Sequence, residues 1–241
     1  MRFIKIFTCF VLLFSMTACA KPTSDDGNDE NTNTPTPTIE PAPSVLPAEP
    51  DVHNAADDVS KQNVETGFEN NVVITPKIYP LKASVYQFIN EDSEEFVGIY
   101  LDDSVQFLKG GTGIIVFSAP SCPFCNRALP VLKKILSKNG VKAYYVDTDE
   151  PFGATTPSNA NSIFAEFMTL VEPILVKDEN GEPSFEIPEV VAVKDGKIIG
   201  HHLSLVDGYV ITNKTSQMNE KQIKELEDIY QGLIDSVIIP S

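Results

Sequence analysis

The sequence predicts an α/β fold, and three observations carry that prediction. Residues 114–117, Ile-Ile-Val-Phe, form a short β-branched apolar run of the kind buried on both faces of a sheet. A helical pattern follows, with Leu129, Leu132, Ile135 and Leu136 on one face and a stop at Asn139-Gly140. Residues 141–146 then alternate into a second strand, closed by Asp147-Thr148-Asp149. Strand, helix and strand in that order imply a right-handed unit whose two strands are parallel.

The chain in order begins with a leader. Arg2 and Lys5 precede an apolar stretch over residues 6–16 that is too short for an ordinary membrane span. Residues 1–18 therefore read as a signal peptide. Met16-Thr17-Ala18-Cys19 resembles a lipobox, in which Cys19 is lipidated and becomes the new N-terminus; an ordinary cleaved signal with an incidental Cys19 is the other reading. Lipidation places the protein outside the cytoplasm, anchored to the cell membrane by its lipid.

Residues 19–75 read as an acidic linker. Residues 20–67 contain no Phe, Tyr or Trp and are rich in Pro, Thr, Asn and Asp, so they lack the apolar surface to order themselves. A coil of that length spans on the order of 40 Å. The whole chain carries a formal net charge of −16, and loss of Arg2 and Lys5 with the leader makes it −18. That balance argues against nucleic acid and anionic lipid headgroups as ligands.

With 241 residues and 42% hydrophobic content, the chain can form one substantial core, assigned here to residues 76–241. Residues 72–74 and 85–89 have strand-like composition, and residues 96–100 start the domain proper. Asp102 or Asp103 is placed to cap a short helix through Val105 and Leu108, stopped by Gly110-Gly111. Residues 150–187 form an insertion. It contains an amphipathic helix over 161–171, with Ile163, Phe164, Phe167 and Leu170 on one side, and a hairpin turning at Asp178-Glu179-Asn180-Gly181. The insertion is either a lengthened connection or a cap beside the active site. His201-His202 reads as a surface or edge pair. Asn219 and Gln222 have capping-box spacing, flanked by Met218 and Ile223 as a hydrophobic staple, ahead of a final helix through Leu226, Ile229, Tyr230 and Leu233.

Four cysteines carry the functional reading. Cys9 lies in the leader and Cys19 at the lipidation site, which leaves Cys122 and Cys125. There is then no disulfide framework, and an exported Cys-x-x-Cys pair is most simply redox-active. A zinc site needs two further ligands, and only His53, His201 and His202 are on offer, so no metal is assigned. No cofactor is implied either. Pro123 suits the first turn of a helix, so the two thiols sit where the helix dipole favours a thiolate on Cys122.

Cys122-Pro123-Phe124-Cys125, Pro130 five residues later, and Ile187-Pro188 before the apolar run 190–193 together resemble the thioredoxin superfamily, over roughly residues 96–235. More narrowly, with Gly111-Thr112-Gly113 running into Cys-Pro-x-Cys, the chain resembles Gram-positive thioredoxin-family lipoproteins related to bacteriocin-transport accessory proteins. The resemblance implies a thioredoxin-like fold: a central mixed sheet flanked by helices, with the insertion ahead of the cis-proline strand. It implies a hairpin turning at Asp195-Gly196. It also implies thiol–disulfide oxidoreductase activity on protein or peptide disulfides, with Cys122 as nucleophile, Cys125 as resolving thiol, and Ile187 and Pro188 binding substrate. Candidate partners are a membrane thiol-transfer protein or a bacteriocin exporter. A non-enzymatic accessory module is the competing class, and the direction, reduction, oxidation or isomerisation, stays open. Two departures stand out: Val116 occupies the place of the superfamily's buried aspartate, and Ala143 that of its lysine.

Overall fold

The structure, a computed structural model, describes residues 64–150 and 160–239. The sequences assigned to the leader and to the linker up to residue 63, with Cys19 and His53, and residues 151–159 of the insertion lie outside the described residues. Strand β1 (Phe96–Gly98) leads into helix α1 (Leu101–Gly110), and β2 (Gly113–Ser118) into α2 (Cys125–Asn139). Strand β3 (Ala143–Asp147) follows, then α3 (Ala160–Leu170) and the two-residue strands β4 (Val176–Lys177) and β5 (Pro183–Ser184). Strands β6 (Glu189–Lys194) and β7 (Lys197–Leu203) precede the terminal helix α4 (Glu220–Ile238).

The main sheet has the order β1-β3-β2-β6-β7. Strand β3 runs parallel to both β1 and β2, while β6 is antiparallel to β2 and to β7. This is the mixed sheet flanked by helices of a thioredoxin-like fold. Strand alternation divides its side chains between two cores. Ile114, Val116, Tyr145, Val190 and Ala192 face α2 and α4; Val97, Ile115, Phe117, Tyr144, Val191 and Val193 face α1 and α3. The central strand β2 is buried at every residue, as its uninterrupted apolar run requires.

Turn chemistry fixes the connections. Gly140 ends α2 in the left-handed conformation, φ 65°, with its N–H bonded to the last-turn carbonyls. Asp195 and Gly196 both have positive φ in the β6–β7 turn, and a Cβ on Gly196 would meet Lys109 O at 2.2 Å. Helix α4 begins with the expected capping box, Asn219 accepting from Gln222 N and the Gln222 side chain accepting from Asn219 N.

The amino-terminal region departs from the sequence expectations. Residues 72–74 form no strand and Val73 is exposed, while residues 83–85 form a 3₁₀ turn instead of opening a strand. The strand-like bridges belong to Ile78, paired with Gly98, and to Leu81, paired with Ser93. Packing begins before residue 76: Ile74 and Thr66 are buried, Phe68 packs on the core, and Thr66 O accepts the Lys142 N–H. Tyr100, with no side-chain cap, occupies the N-cap of α1 in place of Asp102 or Asp103. In α3, Phe167 is fully buried but Phe164 is 40% exposed. The hairpin forms, with Asp178 Oδ1 accepting from Asn180 N and Glu182 N across its turn.

Candidate active site

Cys122 and Cys125 come together where β2 ends and α2 begins. The turn after β2 leaves the sheet at Ser118, and the N–H of Asn126 bonds Cys122 O, so the first helical turn starts at Cys122. Cys122 is partly exposed and Cys125 fully buried, and both are free thiols. The Cys125 backbone N–H donates to Cys122 Sγ at 3.1 Å. Cys122 Sγ also lies 3.9 Å from the carbonyl of Ile187, whose bond to Pro188 is cis. The four residues that sequence reasoning nominated for the site are thus brought into one place.

Their electrostatics are asymmetric. A hydrogen bond from the Cys125 thiol, then the backbone N–H groups of Cys125 and Phe124, bring the Cys122 pKa down to about 7, against burial and the nearby Asp149 carboxylate. Cys125 moves the other way: burial, and its bond to Cys122, raise its pKa well above that of a free thiol. One thiol is therefore poised as a thiolate near neutral pH, and the other holds its proton.

Several residues that build the site carried no local sequence signal. Asp149 clasps Ser121, accepting from its N–H at 2.8 Å and its hydroxyl at 2.6 Å. Asn126 Nδ2 donates to Pro120 O and Cys122 O, and its Oδ1 accepts from Gln87 N at 2.6 Å, pinning the amino-terminal arm to the active-site turn. Arg127 is 5% exposed; it donates to the carbonyls of Pro123, Asn213, Lys214 and Ser216 and to Tyr209 Oη. Its guanidinium also stacks over Phe88, 5.2 Å from the ring centre. This one side chain ties the Pro-Phe turn to the segment between β7 and α4.

Glu189, next to Pro188, is 1% exposed and opposes Phe117 on β2. Burial pushes its pKa up to about 8, and burial also lowers that of His201, whose Nδ1 lies 3.0 Å away. Both shifts favour neutral forms, so the contact is a hydrogen bond between a carboxyl group and an imidazole, its direction set by the tautomer of His201. His201 and His202 are therefore not an equivalent surface pair: His202 turns to the opposite face, half-buried against Tyr230. Among the described residues no group of three or more His, Cys, Asp or Glu side chains could hold a metal ion, and no helix is long and apolar enough to cross a membrane.

The insertion helix packs away from the thiols. Phe167 meets Phe117 and Phe185 with ring centres 5.2 and 5.0 Å apart, on the face shared with α1. That packing makes α3 a connection laid against the sheet.

Residues 68–176 match the family described as TraF: F plasmid transfer operon protein. Among solved structures, the chain is similar to thioredoxin from Aeropyrum pernix, at 19% identity and a TM-score of 0.29, over 44% of this chain and 73% of that one. No curated protein matches the chain.

Proposed function

We propose that the protein is an extracytoplasmic thiol–disulfide oxidoreductase acting through Cys122 and Cys125 on protein or peptide disulfides. The observation that carries this reading is the asymmetric pair: a partly exposed, low-pKa Cys122 three residues before a buried, proton-holding Cys125. The Cys122 thiolate attacks a substrate disulfide and forms a mixed disulfide, expelling one substrate thiolate; Cys125 then attacks Cys122 Sγ and expels the second. In this reading the Ile187 carbonyl, 3.9 Å from the Cys122 sulfur, receives a backbone N–H from the substrate.

The test is reduction of insulin by the purified protein with dithiothreitol as electron source. Activity is expected, and Cys122→Ser should abolish it; activity that survives the substitution removes Cys122 as nucleophile. A non-enzymatic accessory role predicts no activity in either protein.

The reading includes a lipid anchor at Cys19 and kinship with Gram-positive lipoproteins of the bacteriocin-accessory kind. Its partners are a membrane thiol-transfer protein or an exporter. Cys19→Ala should release the protein from the membrane fraction, and retention with unchanged mobility would rule the anchor out.

A further inference from the structure

A groove runs beside the Cys-Pro-Phe-Cys turn, and its walls and its charge both point to an occupant. We propose that it is a substrate subsite, taking an acidic segment of polypeptide next to the disulfide that Cys122 attacks. The proposal rests on the oxidoreductase reading and narrows its substrate.

The groove encloses about 620 Å³ and opens beside the nucleophile, because Ser121 and Pro123, the chain neighbours of Cys122, both line it. Val85 and Gln87 of the amino-terminal arm form one wall, and residues 211–214, between β7 and α4, form the other. Both walls are tied to the fold. Tyr86, between the two arm residues, is buried, and its hydroxyl is hydrogen-bonded to Ser118 Oγ at 2.8 Å and to Tyr145 Oη at 2.9 Å. Arg127 donates to the carbonyls of Asn213 and Lys214, and Gln87 Nε2 donates to Lys214 O at 3.3 Å, joining the two walls. Walls held in this way lose little freedom when a ligand binds between them.

Charge selects the ligand. The chain carries a formal net charge of −16, yet no acidic residue lines this groove, whereas Arg127 and Lys214 both do. Arg127 is 5% exposed and directs its donors to neutral oxygens, four carbonyls and the Tyr209 hydroxyl, so its hydrogen-bond partners leave its charge uncancelled. Lys214 is exposed and joins none of the ion pairs among the described residues. Lys133, Lys134 and Lys224, on the neighbouring helices, each meet a carboxylate instead. Asp149 stands at the Ser121 end, so an acidic side chain of the ligand is directed toward Lys214. Val85, Pro120 and Ile211 supply apolar contact for the chain in between.

The test uses the full-length chain with Cys9→Ser and Cys19→Ser, reduced and mixed in stopped flow with short peptides. Each peptide has one cysteine held as a mixed disulfide with 2-nitro-5-thiobenzoate, and a pair of glutamates or of glutamines placed on either side of it in turn. The Cys122 thiolate bonds to the peptide sulfur, the bond to nitrothiobenzoate breaks, and its electron pair leaves on that coloured thiolate, the better leaving group. Cys125 Sγ then bonds to Cys122 Sγ and expels the peptide thiolate, which gains a proton as Cys125 loses one. Two cysteine thiols become a disulfide as the probe disulfide becomes two thiols.

At low ionic strength the glutamate peptide, in one of its two orientations, is expected to release colour about fivefold faster than its glutamine counterpart, and added salt should shrink that ratio. Lys214→Glu should bring the ratio below one and keep the glutamine-peptide rate, since only an exposed side chain changes and the backbone carbonyl keeps its bonds. Lys197→Glu makes the same change in net charge at an exposed position where β6 turns into β7, the opposite end of that hairpin from Pro188, and should preserve the ratio. A ratio of one or less in the parent, a ratio unmoved by Lys214→Glu, or an equal fall in both variants overturns the acidic subsite while the oxidoreductase reading stands. No coloured thiolate from any peptide overturns that reading and the subsite with it.

Discussion

Asp149 holds Ser121 by two hydrogen bonds, one to its N–H at 2.8 Å and one to its hydroxyl at 2.6 Å, and so places a negative charge beside the next residue, Cys122. The same carboxylate therefore shapes the turn and opposes the thiolate that the turn presents. Asp149→Asn keeps a side-chain acceptor for Ser121 and removes the charge. The Cys122 pKa should fall by roughly half a unit below its value of about 7. Thiolate absorbance against pH measures this, and a midpoint that stays put or rises would contradict it.

Glu189 should make the protein less stable as pH rises. Its folded pKa of about 8 lies above the ordinary 4.5, so between those values the folded state holds a proton that the unfolded state has lost. Stability is full below about pH 4.5 and declines until the pH passes about 8, with a slope on the order of 1 kcal/mol per pH unit. His201, with its pKa lowered by burial, acts in the opposite sense at lower pH. Glu189→Gln removes the carboxyl contribution alone, so the urea midpoint of the variant relative to the parent should increase from pH 5 to pH 8. A constant difference would mean that Glu189 is ionised in the fold.

Phe167→Ala should cost roughly 3–5 kcal/mol, because the ring is fully buried between Phe117 and Phe185. Cys122 reactivity should be unchanged, since that aromatic cluster lies on the face of the sheet away from Cys125. Denaturant unfolding and alkylation rate check the two halves separately. Little loss of stability would make the insertion helix a loosely held cap.

What the sequence revealed and what it hid divide along one physical line. The Cys-Pro-Phe-Cys turn, the helix through Leu129 and Leu136, the Asp195-Gly196 turn and the capping box at Asn219 are set by neighbours in sequence, so pattern exposes them. Ile187-Pro188 was legible through a resemblance of order and spacing. Tyr86 was not: its partners Ser118 and Tyr145 lie 32 and 59 residues away, and the surrounding apolar residues read as a strand. Arg127 gave no signal for the same reason, its carbonyl partners being up to 89 residues distant. Glu189 did leave one, as a lone acid opening the apolar run 190–193, although only the fold shows that it is buried.

The most direct test of the account is the pH dependence of alkylation at each thiol, measured in single-cysteine variants and in the pair. In the pair, Cys122 should react first and titrate near pH 7, because the Cys125 thiol and two backbone N–H groups stabilise its thiolate. Cys122 in Cys125→Ser should titrate lower than a free thiol at about 8.5 while losing part of that shift to the missing thiol. Cys125 in Cys122→Ser should stay unreactive well above neutral pH, held protonated by burial. Cys125 reacting faster than Cys122 near pH 7, or Cys122 titrating like an unstructured thiol in the intact pair, would contradict the account.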